Sequence, residues 1–272
     1  MPLGRCEAVI IRVRDYGDAD RFVTLYSRER GKVHAVARGA RRSKSRFVGV
    51  QPFVHGVFSL FSTGGGGGGG ASSLSQFQIL SSFRVLREDL DLMAGASYVA
   101  QVIDEITAAQ DPNEEVFRLL LWSLGALEKS KGAVFDVRGV RDGIKADMGT
   151  LGAVLRVFEI KLLQYLGYQP HLDSCVKCGS IPATFFHPAS GGVLCERCGG
   201  LLGDAAPLSP GSVSIMKAVL NADLAKLGVL KMTSFQSSEL RRPLEEYVSM
   251  VAGRPIRALE FLKILEGKEG LA

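Results

Sequence analysis

Four cysteines limit what this chain can fold into more than any other feature. Cys175, Cys178, Cys195 and Cys198 form the pattern C-x2-C-x16-C-x2-C, read as "CVKCGS" and then "LCERCGG". Each C-x2-C turn aims two sulfurs at one point, and the 16 intervening residues suffice for a small hairpin that returns the second turn to the first. Gly179 and Gly199 follow the second cysteine of each pair and permit the tight backbone there. The spacing predicts one structural Zn2+ held by four thiolates. Paired disulfides would suit an exported chain, and nothing here indicates export. A redox C-x-x-C explains one pair and leaves the second as coincidence. A catalytic zinc keeps one position open for water, whereas four cysteines close the sphere. The H-x-E of zinc deaminases is missing, since His171 opens "HLD". His171 and His187 lie nearby but are unnecessary beside four thiolates, and Cys6 reads as a lone buried thiol.

This insert, at about 171–203, interrupts a segment of helical period. "DPNEEVFRLLLWSLGALEK" predicts a helix with Asp111 as N-cap, Pro112 at N1 and Glu114 at N3. Residues 150–168 repeat apolar side chains at Leu151, Leu155, Phe158, Leu162 and Leu166, one helical stripe. Further helices are expected at 209–227, with Ser209 as cap and Pro210 as first residue, and near 238–251 and 255–266.

Before residue 84 the period is two. "EAVIIRV" (7–13), "RFVTLYS" (21–27), "KVHAVAR" (32–38), "PFVHGVFSL" (52–60) and "LSQFQILSSF" (74–83) read as strands separated by turn residues. In the fourth, Phe53, His55 and Val57 are expected on one face and Val54, Phe58 and Leu60 on the other. Five strands in some 80 residues predict a small barrel such as an OB-fold, with an SH3-like barrel as the competing architecture. The expected organisation is multidomain, β then α: an OB-fold-like domain at 1–83, then a mostly helical domain at 84–272 carrying the zinc module. Seven glycines at 64–70 form a flexible hairpin insertion between strands four and five. They are not a phosphate-cradling loop, which needs Lys then Ser or Thr to close it.

Charge is unevenly distributed. The net value of +5 conceals 12 Lys and Arg against 5 Asp and Glu in residues 1–50, while the rest of the chain is slightly acidic. "RGARRSKSR" places Arg38, Arg41, Arg42, Lys44 and Arg46 in nine residues without an acid. A solvated basic loop that aids solubility is the plain alternative. A cluster framed by barrel strands is better explained by a polyanion, whose binding relieves self-repulsion and releases counterions. The loop leaves strand three beside the groove where OB-folds hold nucleic acid. Arg12, Arg14 and Arg21 extend the surface, Ser43 and Ser45 can donate to phosphate oxygens, and Phe47 and Tyr16 are candidate stacking platforms. No base-edge readers are identifiable, so binding to backbone without sequence preference is expected. Five phosphates neutralised on a single strand would give log K a slope near −3.5 against log salt, roughly −0.7 per contact.

No G-x-S-x-G, Walker lysine or acidic metal cluster appears, and a binding protein rather than an enzyme is expected. The alternatives are a zinc-bearing nucleic-acid enzyme such as a nuclease, or a zinc-ribbon transcription factor that selects its sites. "MPLGRCEAVIIRVRDYGDAD" breaks its apolar stretch with charges, unlike a signal peptide. No apolar run reaches the roughly 18 residues of a membrane span. A cytoplasmic protein without membrane partners is expected.

Three blocks taken together resemble the RecO family of bacterial recombination mediators: "IIRVRDYGDADRFVTLYSRERGKVHAVARGARRSKSRF", "FEIKLLQYLGYQPHLDSCVKCG" and "GGVLCERCG", in the family's order. The resemblance implies an N-terminal OB-fold, a helical C-terminal domain and a zinc module. It further implies binding to single- and double-stranded DNA, annealing of complementary strands, association with the nucleoid and partnership with RecR. Help in loading RecA onto strands coated with single-strand-binding protein (SSB) would follow. The family's basic DNA contacts map onto Arg38, Arg41, Arg42, Lys44 and Arg46. Some members capture the C-terminal tail of SSB on the helical domain, and such a site is expected where Arg156 or Lys161 borders apolar helix surface. The glycine run departs from the family, where a hairpin with polar or charged residues is the norm.

Overall fold

Alternating apolar residues in the first third of the chain form β1 (Pro2–Tyr16), β2 (Asp20–Ser27), β3 (Gly31–Ala37), β4 (His55–Phe61) and β5 (Ser72–Ser81). The computed structural model describes residues 2–61, 71–130 and 151–269, so the seven-glycine run lies outside the described residues. The strands close into a barrel in the order β1-β2-β3-β5-β4. β3 and β5 pair in parallel and the other neighbours antiparallel. The first half of β1 pairs with β4 and the second half with β2, across an irregularity at Ile10–Arg12 that bends the strand. Five strands closed through a bent first strand make an OB-fold, which decides against the SH3-like alternative. Ile10, Leu25, Ala35, Phe58, Leu60 and Leu74 fill the interior, each large side chain contributing about 1.5–3 kcal/mol by burial. One expected strand residue differs: Phe53 has a φ of 71°, so the extended run begins only at His55.

The chain divides into two compact units. The first joins the barrel to α1 (Leu90–Ile106), α2 (Glu114–Lys129) and nearly all of α6 (Arg257–Glu269). The Asp89 carboxylate caps α1 by accepting from the N–H groups of Asp91 and Leu92 at 3.0 and 3.1 Å. α2 is capped by Asn113, whose side chain accepts from the Val116 N–H at 3.0 Å, not by Asp111. The preceding segment is tied to β3, where the Gln110 N–H donates to the Lys32 carbonyl at 3.0 Å. The helix therefore starts two residues later than its Asp-Pro pair predicts.

The second unit holds α3 (Leu151–Tyr165), a small sheet of β6 (Phe185–His187), β7 (Gly192–Leu194) and β8 (Ala206–Pro207), then α4 (Pro210–Asn221) and α5 (Ser234–Ala252). Ser209 caps α4 as its sequence predicts, with Pro210 opening the helix. α5 begins earlier than its apolar stripe indicates, because Thr233 and Gln236 form a reciprocal capping box. α3 is buried on nearly every side and packs against α4 and α5.

Arg156 and Glu159 lie inside that packing, 2% and 0% exposed. The Arg156 guanidinium donates to Glu159 at 2.7 Å and lies 3.8 Å from Glu245, which also accepts from Arg241 at 2.9 Å. Removing the central cation takes the 2.7 Å ion-pair partner from a fully buried carboxylate. Arg156→Ala is therefore expected to lower unfolding free energy by about 3–5 kcal/mol. Denaturant titration checks this, and a loss within experimental scatter would contradict the ion-pair role.

Candidate nucleic-acid surface and metal centre

The cysteines converge because both knuckles are attached to β7, one through Val176 and the other by directly following the strand. In the first, the Gly179 N–H donates to the Cys175 carbonyl at 2.8 Å, and in the second the Gly199 N–H donates to that of Cys195, also at 2.8 Å. The Val176 N–H donates to the Val193 carbonyl at 3.0 Å, which fastens the first knuckle to β7. Gly199 is required by packing: a Cβ there would lie 2.5 Å from Phe185 Cβ. Phe186, fully buried, packs edge-on against Tyr247 of α5 at 5.8 Å and anchors the sheet to the helices.

The four sulfurs lie within 4.8 Å of one another, an arrangement that could hold a metal ion. Cys178 Sγ is 3.6 Å from that of Cys195 and 3.7 Å from that of Cys198. Tetrahedral zinc with Zn–S bonds of about 2.3 Å separates its sulfurs by roughly 3.8 Å, so the donor set fits. Hydrogen bonds from Ser180 draw the Cys178 thiol down to about 5, and sharing a proton with Cys178 pushes Cys198 up to about 12. A divalent cation at this point would allow all four to be thiolates together. The Cys178 sulfur in turn holds the Arg197 guanidinium above its usual pKa. Both histidines have other partners: His171 Nε2 meets Ser174 at 3.1 Å, while His187 meets Ser190 at 2.6 Å and Asp204 at 3.2 Å.

The basic loop joins β3 to β4 and is folded. The Arg41 N–H donates to the Ala19 carbonyl, Arg42 to Gly39, Ser45 to Arg42 and Val50 to Phe47, all at 2.9–3.1 Å. Ala40, Phe47 and Val50 are buried in the barrel core beneath it. The backbone that carries its cations is thereby held in place. Arg38, Arg42, Lys44 and Arg46 are exposed, and no carboxylate among the described residues pairs with them. Arg41 reaches Asp15 at 3.4 Å.

The three strand arginines divide. Arg14 is exposed and unpaired among the described residues. Arg21 braces the loop, donating to the Val50 carbonyl at 3.0 Å and lying 3.6 Å from Asp15. Arg12 pairs with Asp104 of α1 at 3.0 Å, and Lys32 lies 3.5 Å from the same carboxylate. Phe47 is fully buried and so is not the surface platform expected of it, although the Arg46 guanidinium lies 4.9 Å above its ring. Tyr16 is exposed.

The tail site expected at Arg156 or Lys161 is corrected by burial. Arg156 neutralises carboxylates of its own unit, and the buried Lys161 ammonium donates to the Leu220 carbonyl at 3.0 Å and to Gln164 at 2.8 Å. Neither charge reaches the surface. A helical stripe alone does not reveal which polar positions face a second helix. Among the described residues, no helix is long and apolar enough to cross a membrane.

The family model for the Recombination protein O N terminal matches residues 1–83, and that for the Recombination protein O C terminal matches 87–139 and 144–260. The chain is 36% identical over 271 residues to the DNA repair protein RecO of Symbiobacterium thermophilum, covering 97% of this chain and 98% of that one. Its identity to the protein of the same name from Bacillus pumilus is 32% over 270 residues, covering 98% and 96%. For Bacillus subtilis the figures are 31% over 271 residues, 99% and 97%. With an OB-fold barrel, a four-cysteine module and matches along nearly its whole length, the chain belongs to the RecO family.

Proposed function

We propose that this protein is a non-enzymatic DNA-binding protein of recombinational repair. Its basic loop grips the phosphate backbones of single- and double-stranded DNA, and complementary strands anneal on it. Support comes foremost from one observation: Arg38, Arg42, Lys44 and Arg46 project from a folded loop with no carboxylate among the described residues to neutralise them. A backbone folded in this way needs no ordering when phosphates arrive, and contact with backbone alone gives no reason to prefer a sequence. Two strands held near one cationic surface repel each other less, so pairing becomes a matter of encounter. Family membership extends the proposal to action with RecR in loading RecA onto SSB-coated strands at the nucleoid, with the SSB tail as a further partner.

The four thiolates hold zinc on this reading, and the ion fixes the shape of the second unit. A closed sulfur shell has no position for water or substrate. The test is an annealing assay with labelled complementary oligonucleotides. The protein is expected to accelerate pairing about tenfold or more at low salt and to lose this effect near 0.5 M, as screened attraction does. No acceleration at low salt would contradict annealing.

A further inference from the structure

The basic loop ends in a feature that phosphate binding does not use. Val48 is 69% exposed and Ile79 of β5 is 44% exposed. The two strands of chain that carry them touch: a methyl group on Gly49 would lie 2.9 Å from Ile79 Cδ1 and 3.3 Å from the Phe77 ring. Beneath them the half-buried Phe77 stacks on Phe47 at 6.4 Å and on Phe58 at 5.7 Å, both nearly parallel. That stack extends into the barrel core and gives the apolar lip a firm floor. Arg46, two residues before Val48, packs on the ring of Phe47 at 4.9 Å. No acid occurs between Arg38 and Val54.

We infer that this lip receives the face of an unpaired base, giving the basic loop a contact that single-stranded DNA can make and duplex cannot. The inference rests on the proposed phosphate grip and adds to it. The occupant must bring anionic and apolar surfaces side by side, matching Arg46 and Lys44 next to Val48 and Ile79. Duplex DNA offers phosphates while its base faces are covered by stacking. A single strand offers both, and a base that leaves the stack can lie against apolar side chains. Neither Val48 nor Ile79 carries a charge, so their contribution persists at salt concentrations that screen the phosphate contacts.

The test compares three probes on the full chain: an oligodeoxythymidine of about 15 nucleotides, a strand of equal length with central abasic sites, and a duplex of the same length. At about 0.3 M salt, the unmodified protein is expected to bind the base-bearing strand some 5- to 30-fold more tightly than the abasic one. V48S/I79S should bring that ratio near one while leaving duplex and abasic affinities within about twofold. Equal binding of base-bearing and abasic strands by the unmodified protein would overturn the inference, and this comparison needs no variant to fold. Equal losses on all three probes in the variant would overturn it too. So would a change in oligomeric mass with DNA affinities unaltered, which would make the lip a surface for protein. Failure to bind any probe even at low salt would instead sink the phosphate grip on which the lip depends.

Discussion

Cys178→Ser is expected to strip the metal from the second unit and loosen its cysteine insert, leaving the small sheet only its Phe186 anchor, while the proposed DNA grip of the barrel persists. Zinc content, measured by mass spectrometry, should fall from one equivalent per chain to nearly none. The magnitude follows from how little else holds the insert. β6 and β7 have three residues each and β8 has two, well short of the roughly five or six residues of an ordinary strand, so the ladder itself contributes little. A structural zinc contributes on the order of 10 kcal/mol or more of coupled binding and folding. Serine is a far poorer zinc ligand than a thiolate, so most of that free energy is forfeited. Limited proteolysis should then open the chain within 171–203, and a chelator should do the same to the unmodified protein. Full retention of zinc by the variant, or a module that resists protease without metal, would contradict the structural role.

The second large effect concerns charge. Replacing Arg38, Arg42, Lys44 and Arg46 together by alanine should lower affinity for single-stranded DNA by about two to three orders of magnitude at 0.1 M salt. Each phosphate contact contributes roughly 0.7 to the slope of log K against log salt, which across the decade from 0.1 to 1 M amounts to about 2.8 for four. The loss should be alike on all sequences, since backbone contacts carry no base information. The fold should tolerate the change, because all four side chains are exposed and such substitutions usually shift stability by less than about 0.5 kcal/mol each. Thermal unfolding checks the second half of this expectation and a binding isotherm the first.

Much of this was legible in the sequence for physical reasons that differ by element. Period-two alternation exposes barrel strands because one face of each is buried. Thus Phe58 and Leu60 point inward as their spacing predicts, both nearly without exposure. Cysteine spacing is a geometric constraint in itself, and the four sulfurs do converge. Partner choice is different, because it depends on residues far apart in the chain. Arg12 reads as one more surface cation until Asp104, 92 positions away, is seen beside it. Arg156 and Lys161 read as exposed polar positions on a helix until α4 and α5 cover them. Phe47 directly follows the cationic run yet belongs to the core, because the loop packs its apolar residues into the barrel. The Thr233–Gln236 box precedes any apolar stripe, so its Thr-x-x-Gln spacing is the only sequence signal of where α5 begins.

Arg41 refines the quantitative expectation. Its contact with Asp15 leaves four unpaired cations on the loop rather than five, so the slope on single strands should lie near −2.8 instead of −3.5, at roughly 0.7 per phosphate. Equilibrium binding of the full chain to single-stranded DNA, titrated across salt, measures that slope directly. A value near −2.8 that flattens almost to zero in the fourfold alanine variant is the predicted result. A slope near zero in the unmodified protein, or one that the variant leaves unchanged, would contradict a DNA grip by this loop.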